Sequence, residues 1–240
     1  MYVGLPACSQ LKDVATRVTY DSVFTPVWRM TQGDREMLAR PEPRWHKDAW
    51  VERHEAMNAR VKERNVDLLF IGDSITHWWD RAGKEVWDQY YAPRNAVNLA
   101  ISGDRTEHVL WRLENGNIDG ISPKLAVLMI GTNNHMSSPA EVTARDIRLI
   151  VAKLRKRLPS TKVLVLGIFP RGSGDDDRAR QINMKVNALI SDIGDGKMVH
   201  YLDMESTFLS GRRLKSALIP DGSHPGAEGY AAWAEALEPT

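Results

Sequence analysis

Two short segments of the chain contain side chains of the types that nucleophilic catalysis uses. Ser74 follows an apolar run that ends at Gly72, and Asp221 and His224 stand three residues apart near the other end of the sequence. A serine hydroxyl is a weak nucleophile until a base accepts its proton, and histidine can act as that base near neutral pH. An aspartate beside the histidine can orient the ring and stabilise the imidazolium. The pattern therefore predicts Ser74 as nucleophile, His224 as base and Asp221 as its partner.

Attack of a serine on a carbonyl group also requires hydrogen-bond donors for the oxyanion that forms. The backbone N–H of Ser74 is one candidate donor. The N–H of Gly103 is a second, because glycine lets a ligand approach the main chain closely, and the side-chain amide of Asn133 is a third. Each of these residues, taken alone, is explained equally well by turn or capping structure. Their combination favours catalysis.

Short apolar runs alternate with helical patterns over most of the chain, which is typical of βαβ units and a parallel sheet. Sheets of this kind bind ligands beyond the carboxyl ends of their strands. Residues 72–74, 102–104 and 131–134 each follow a predicted strand, so we expect these loops to meet at one edge. The predicted strands are 68–71, 96–101, 125–130, 163–169 and 199–202; the predicted helices are 45–64, 84–91, 107–113, 140–158, 178–193 and 225–237.

The composition bounds the domain organisation and the partners. Residues 1–45 show no sustained period, and we expect an N-terminal extension that packs on the domain or contributes to an oligomer contact, followed by one domain over 46–240.

A net charge of +1 does not favour nucleic acid or an anionic membrane as the main partner. No apolar run approaches the ~18 residues of a membrane span, so no integral membrane segment is expected. No signal peptide is expected either, and the composition suits the cytosol as well as export after removal of a leader.

Motifs for cofactors and metals are missing from the sequence. It contains no G-x-S-x-G, no G-x-x-x-x-G-K-[ST], no G-x-G-x-x-G and no H-E-x-x-H. Cys8 is the single cysteine, which excludes an intrachain disulfide and a cysteine-based zinc cluster. Three histidines, His77, His108 and His135, lie near strand ends but on separate loops without ligand spacing. The expected cofactors are none, and the expected metal is none.

Four segments of the chain resemble the sequence blocks of the SGNH, or GDSL-like, hydrolases. The matching residues are Gly72-Asp73-Ser74-Ile75, Gly103, Gly131-Thr132-Asn133-Asn134 and Asp221-Gly222-Ser223-His224-Pro225. Residues 98–116 are similar to the catalytic subunits of platelet-activating-factor acetylhydrolase and related bacterial acetyl esterases. The resemblance spans roughly residues 65–237; Ile75 replaces the usual leucine, and Ser102 stands where relatives often have glycine.

The resemblance implies a three-layer α/β/α sandwich with a flavodoxin-like parallel sheet of about five strands. It implies Ser74, Asp221 and His224 as the catalytic triad and Ser74, Gly103 and Asn133 as the oxyanion hole. We also expect Asp73, Trp78 and Asn134 to contact the substrate. Trp78, Trp79 and Trp87 could form an apolar or sugar-stacking wall, with core packing as the alternative.

The sequence therefore predicts a metal-independent serine esterase that acts on short acyl groups, with acetyl esters of carbohydrates as one candidate substrate. Its partner is a small acylated sugar or lipid, and the resemblance adds a homodimer as an expectation. The alternatives are a lysophospholipase or thioesterase of the same family, a non-catalytic module that binds acylated glycans, and a flavodoxin-like binder of flavin or nucleotide.

Overall fold

A computed structural model of the chain describes residues 47–238 except 173 and 175. The predicted N-terminal extension, residues 1–45, lies outside the described residues. So do the first two residues of the helix predicted over 45–64.

Five parallel strands form the central sheet. They are β1 (Leu68–Gly72), β2 (Ala96–Ala100), β3 (Leu125–Met129), β4 (Lys162–Leu166) and β5 (Val199–Leu202), and their order across the sheet is β2-β1-β3-β4-β5. This is the flavodoxin-like order. The predicted α/β class and parallel sheet are confirmed.

Three predicted strands extend too far: β2 and β3 each end one residue earlier than predicted, and β4 ends three residues earlier. Residues 163–169 were expected to be extended throughout, but β4 ends at Leu166. The main-chain N–H and C=O of Ile168 are both bonded to the side-chain amide of Asn187, at 2.7 and 2.9 Å. A side chain has therefore replaced the neighbouring strand as the hydrogen-bond partner, and an apolar sequence pattern cannot reveal this exchange.

Helices surround the sheet. Their bounds are α1 (Lys47–Lys62), α2 (Ser74–His77), α3 (Lys84–Tyr90), α4 (Thr106–Glu114), α5 (Ala140–Arg157), α6 (Arg178–Ile190), α7 (Glu205–Phe208) and α8 (Ala227–Leu237), and a short antiparallel pair joins β6 (Leu209–Ser210) to β7 (Arg213–Leu214). Single 3₁₀ turns cover Trp78–Asp80, Ala92–Arg94 and Thr132–Met136.

The helices form two outer layers because alternate strand residues point to opposite faces of the sheet. Leu69 and Ile71 of β1 join an apolar cluster with α1, α4, α5 and α6. Leu68 and Phe70, the alternate residues, join a second cluster with α3, α7 and α8. The predicted three-layer sandwich is therefore confirmed, and strands buried on both faces explain why the sequence shows continuous apolar runs.

The helices differ from the prediction in several bounds, and the largest difference is that α6 ends at Ile190 rather than at residue 193. Helix α2 was not predicted, since four residues show no period. Helix α8 begins at Ala227 rather than at Pro225, because Gly226 is its N-cap and donates its N–H to the carbonyl of Leu218 at 2.9 Å.

Gly72 allows α2 to begin only one residue, Asp73, after β1 ends. A Cβ at this position would lie 2.5 Å from the carbonyl oxygen of Met129 and 2.3 Å from Oγ1 of Thr76. Both distances are far inside van der Waals contact, so a larger residue would separate β1 from β3 or displace the helix. The close approach keeps the start of α2 at the edge of the sheet.

A buried ion pair holds the segment after β2. Arg112 of α4 contacts Oδ2 of Asp104 through Nε at 2.9 Å and through a terminal nitrogen at 2.8 Å, and both side chains are almost fully buried. The indole N–H of Trp50 donates to the other carboxylate oxygen at 2.7 Å. The pair thereby ties together α1, α4 and the loop that follows β2.

Within the described ranges, no helix combines the length and the apolar character needed to cross a bilayer.

Replacing Arg112 by methionine should lower the free energy of unfolding by about 3–5 kcal/mol, because the carboxylate of Asp104 would remain buried without its cation. Urea denaturation measures this change. Lys84→Met is the matched control, since Lys84 pairs with Asp88 on an exposed helix surface and should contribute far less. Equal losses in the two variants would contradict the assignment.

Candidate active site

Ser74 is held at the carboxyl end of β1 as the first residue of α2. The residue before it, Asp73, caps this helix: its Oδ1 accepts the N–H of Ile75 at 3.0 Å, and its carbonyl accepts the N–H of His77 at 2.7 Å. Such a cap explains how a helix of one turn persists next to the strand. Ser74 is only 9% exposed, so most of the residue is enclosed by the chain.

Ser74, His224 and Asp221 form a continuous chain of hydrogen bonds. The Oγ of Ser74 lies 2.9 Å from Nε2 of His224, and Nδ1 of His224 lies 2.8 Å from Oδ2 of Asp221. The other carboxylate oxygen of Asp221 accepts the N–H groups of Ser223 and His224, at 2.8 and 2.6 Å. The loop therefore folds around the carboxylate, and this fold determines the orientation of the imidazole.

The arrangement suits proton transfer from serine to histidine. A carboxylate can only accept, so Nδ1 of His224 carries a hydrogen and Nε2 presents its lone pair to Ser74. Partial burial of Asp221 acts to raise its pKa, but hydrogen bonds from the main chain and ring of His224 and from Ser223 outweigh burial and hold the pKa below its ordinary value. The carboxylate remains ionised at neutral pH, as stabilisation of an imidazolium requires.

The loops that contain the predicted oxyanion donors lie against the loop of Ser74. The N–H of Ile101 donates to the carbonyl of Gly72 at 3.4 Å, and the amide Nδ2 of Asn133 donates to the carbonyl of Asp104 at 2.9 Å. The first of these bonds joins the loop after β2 to Gly72, the last residue of β1. The second bond orients the Asn133 amide and leaves its other hydrogen available.

Gly103 lies between these two bonds. Its φ of 84° is in the left-handed region, which favours glycine. Its N–H donates to no acceptor among the described residues. The oxyanion role of Ser74, Gly103 and Asn133 remains a prediction, which this geometry supports.

Two residues expected to contact substrate are buried instead. Asp73 and Asn134 are 0% and 1% exposed. The amide of Asn134 accepts from the N–H of Thr106 at 3.1 Å and donates to Oγ1 of Thr106 at 3.0 Å, which links the loop after β3 to the start of α4. Both side chains bond within the chain in this structure, and their contact with substrate stays a prediction.

The tryptophans divide between the core and the site. Trp79 is fully buried and Trp87 is 9% exposed, and both belong to the apolar cluster under α8. Trp78 is half-buried and stacks on the ring of His224, with ring centroids 4.3 Å apart and an interplanar angle of 17°. The alternative of core packing therefore holds for Trp79 and Trp87, while Trp78 lies at the site.

The three histidines near the strand ends serve separate purposes. His108 Nδ1 accepts the N–H of Arg105 at 3.0 Å, His135 Nδ1 lies 2.6 Å from the carbonyl of Thr132, and His77 Nδ1 contacts Ser102. Sequence reasoning considered His77 only as a metal ligand and missed this contact. Across the described part of the chain, no three His, Cys, Asp or Glu side chains form a group that could hold a metal ion.

Burial perturbs the acid that caps α2. It raises the pKa of Asp73 to about 7, against the hydrogen bond from Ile75, and the nearby charge of Asp104 adds to the increase. Oδ2 of Asp73 is enclosed and has no hydrogen-bond partner within the described ranges. A protonated carboxyl group suits this position better than a charged one.

This shift predicts a pH dependence of stability. The pKa of Asp73 in the folded protein lies above the ordinary value of 3.8, so the folded protein is more stable when Asp73 is protonated. This contribution to stability is complete below about pH 4 and is lost as the pH rises through 7. Relative to Asp73→Asn, which carries no charge, the wild type should lose stability between pH 4 and 7 by at most about 1.4 kcal/mol per pH unit. Urea unfolding of both proteins across this range measures the difference. A difference that does not change with pH would contradict the buried-acid interpretation.

Comparison with known proteins identifies the family of the chain. Residues 70–232 match the model of the GDSL-like Lipase/Acylhydrolase family. The platelet-activating factor acetylhydrolase IB subunit alpha2 of Homo sapiens is 40% identical over 164 residues, which cover 67% of this chain and 70% of that protein. The alpha1 subunit of Bos taurus is 35% identical over 181 residues, which cover 74% and 76% of the two chains.

Solved structures share the fold. A GDSL-like lipase from Bacteroides thetaiotaomicron superposes with a TM-score of 0.64 at 21% identity, covering 78% of this chain and 95% of that one. Axe2, an acetylxylan esterase from Geobacillus stearothermophilus, superposes with a TM-score of 0.57 at 19% identity, covering 72% and 94%. The family match, the curated relatives and the shared fold lead to one conclusion: the chain belongs to the GDSL-like lipase/acylhydrolase family and is a carboxylic ester hydrolase.

Proposed function

We propose that the protein is a serine esterase that hydrolyses short-chain esters, acetyl esters in particular, through an acyl-enzyme on Ser74. The observation that carries the proposal is the hydrogen-bonded chain from Ser74 through His224 to Asp221. Its members come from loops about 150 residues apart in sequence, and their order is the one that activation of a hydroxyl requires.

Acylation begins when Oγ of Ser74 attacks the ester carbonyl carbon and its proton passes to Nε2 of His224. The carbonyl oxygen becomes an oxyanion and accepts hydrogen bonds from the N–H groups of Ser74 and Gly103 and from the amide of Asn133. The bond to the alcohol oxygen then breaks. His224 returns the proton to this oxygen, and the alcohol leaves while the acyl group stays on Ser74.

Deacylation uses the same groups. Nε2 of His224 accepts a proton from a water molecule, and the resulting hydroxide attacks the acyl carbonyl carbon. The bond to Oγ of Ser74 breaks, Ser74 regains the proton from His224, and the carboxylic acid leaves. No step requires a metal ion or an organic cofactor.

Two features support short acyl groups and a sugar or similar alcohol. The names of the curated acetylhydrolase relatives and of the acetylxylan esterase both specify the acetyl group. Trp78 places an indole ring beside His224, and aromatic rings offer flat apolar faces on which sugars stack. Acetylated carbohydrates are therefore the first substrate class to test.

Ser74→Ala should reduce the hydrolysis of p-nitrophenyl acetate by roughly a thousandfold or more, because the nucleophile is removed. Ser206→Ala, which changes an exposed serine on α7, is the matched control and should retain wild-type activity. Steady-state rates and labelling by a fluorophosphonate probe measure the effect. Equal rates in the wild type and Ser74→Ala would exclude Ser74 as the nucleophile.

A series of p-nitrophenyl esters with increasing acyl length separates this proposal from its alternatives. A decline beyond short chains supports an acetyl esterase, whereas a rise with chain length supports a lysophospholipase or thioesterase. A folded protein that neither turns over any ester nor reacts with the probe would support a non-catalytic acyl-glycan binder.

The stack of Trp78 on His224 should limit motion of the catalytic ring. Because an aromatic pair contributes about 0.5–1.5 kcal/mol beyond its buried area, Trp78→Leu should lower kcat by roughly 2- to 10-fold. Trp78→Phe keeps a ring at this position and should retain most of the activity. An unchanged kcat in folded Trp78→Leu would show that the stack does not position the base.

A further inference from the structure

We propose that His77 is a positioning residue that fastens the oxyanion loop, residues 101–104, to the helix of the nucleophile. This inference rests on the proposed function, since it assumes that Gly103 stabilises an oxyanion. His77 itself contacts neither substrate nor reacting atoms in this proposal. It acts through the main chain of Ser102.

The contact defines the chemical state of the ring. Nδ1 of His77 accepts the N–H of Ser102 at 3.1 Å and lies 2.9 Å from Oγ of the same residue. A main-chain N–H can only donate, so Nδ1 has no hydrogen and the neutral ring carries its proton on Nε2. The loop is therefore bound by an acceptor, which an apolar side chain of the same size could not supply.

The position of His77 links the loop directly to Ser74. His77 is the last residue of the single turn α2 that Ser74 begins, and its own N–H is bonded to Asp73. The side-chain amide of Asn98 on β2 donates to the carbonyls of Thr76 and His77, at 3.1 and 3.3 Å, which fixes the end of this turn. Displacement of the nucleophile relative to the loop would have to break these bonds.

The loop is held from its other side by a different set of contacts. The side chain of Asp104 binds Arg112 and Trp50, and its carbonyl binds Asn133. The peptide group between Ser102 and Gly103, whose N–H is the proposed oxyanion donor, thus lies between the His77 contact and the Asp104 contacts. Loss of either attachment should change the position of that donor.

The surroundings keep the ring neutral. Burial and the charge of Arg53 on α1 lower the pKa of His77 to about 4, with Asp80 acting in the opposite direction and Arg81 and Arg112 acting with Arg53. Protonation would place an N–H of the ring against the N–H of Ser102. At neutral pH the acceptor is therefore retained.

Substitutions of similar shape separate positioning from packing. His77→Leu removes the acceptor and should lower kcat for p-nitrophenyl acetate by about 10- to 100-fold, less than the 10²–10³ that complete loss of an oxyanion donor costs. KM should change less than about threefold. The reason is that this loop donates to the oxyanion, which forms only in the transition state, and not to the bound ester. His77→Asn keeps an oxygen acceptor near the position of Nδ1 and should stay within about threefold of the wild-type kcat.

The outcomes are distinct. Loss of kcat in His77→Leu together with near-normal kcat in His77→Asn supports the proposal. Two results overturn it: a kcat of His77→Leu equal to that of the wild type, or equal losses of kcat in both variants. If the leucine variant does not fold, His77→Gln replaces it, since its acceptor lies one bond further from Cβ and should also lose kcat. A variant Ser74→Ala that remains active would refute the proposed function instead.

A measurement independent of activity completes the test. NMR spectra with ¹⁵N-labelled histidine identify His77 by the ring signal that His77→Asn removes. That ring should have a hydrogen on Nε2 and an unprotonated Nδ1, unchanged from about pH 8 to 5.5. His108, whose Nδ1 also accepts a main-chain N–H, gives a second ring of this kind that both proteins retain. A signal of His77 with a hydrogen on Nδ1, or a ring that titrates within this range, would overturn the proposal.

Discussion

The position of β1 between β2 and β3 is the constraint on which the site depends. In a parallel sheet, neighbouring strands end at the same edge, so the loops after β1, β2 and β3 must lie side by side. These loops contain Ser74, Gly103 and Asn133. A bond from Ile101 to Gly72 joins the loop after β2 to the end of β1, and a bond from Asn133 to Asp104 joins the loops after β3 and β2. The sheet order thus creates a single site from segments that are far apart in sequence.

A short segment after β1 does more than present a nucleophile. Ser74 begins α2, His77 ends it, and Trp78 begins the 3₁₀ turn that follows. The first residue contacts the base, the second contacts the loop after β2, and the third stacks on the ring of His224. Because the three belong to consecutive turns of helix, their relative positions are coupled. This coupling explains why the segment is fastened by a cap at Asp73 and by the amide of Asn98.

Polar groups buried behind the site have a cost that their contacts offset. The ion pair of Asp104 and Arg112 is enclosed, and hydrogen bonds from Trp50 to Asp104 and from Arg112 to the carbonyl of Leu99 support it. Asp73 and His77 avoid the cost of a buried charge because burial favours the uncharged form of each. Burial raises the pKa of the acid and lowers the pKa of the histidine. Asp221, which is 47% exposed, retains its charge where an imidazolium needs it.

Local patterns were sufficient for the parallel α/β sheet, the family resemblance added the three layers, and residue types singled out Ser74, Asp221 and His224 as candidates. Strands buried on both faces leave continuous apolar runs, amphipathic helices leave a period, and serine, histidine and aspartate have few chemical uses in combination. The carboxyl-edge rule also anticipated that the three loops would lie together.

Other features required the tertiary structure because they depend on contacts between distant segments. Strand β4 ends early because a side chain of α6 binds the main chain that follows it, α2 forms behind a one-residue cap, and Asp73 and Asn134 are buried. The ring contacts of His77 and Trp78 are of the same kind. The sequence by itself determined which groups could react, since chemistry depends on residue type. Only the tertiary structure decided which neighbouring groups hold them in place, since burial and hydrogen bonding arise when the loops meet.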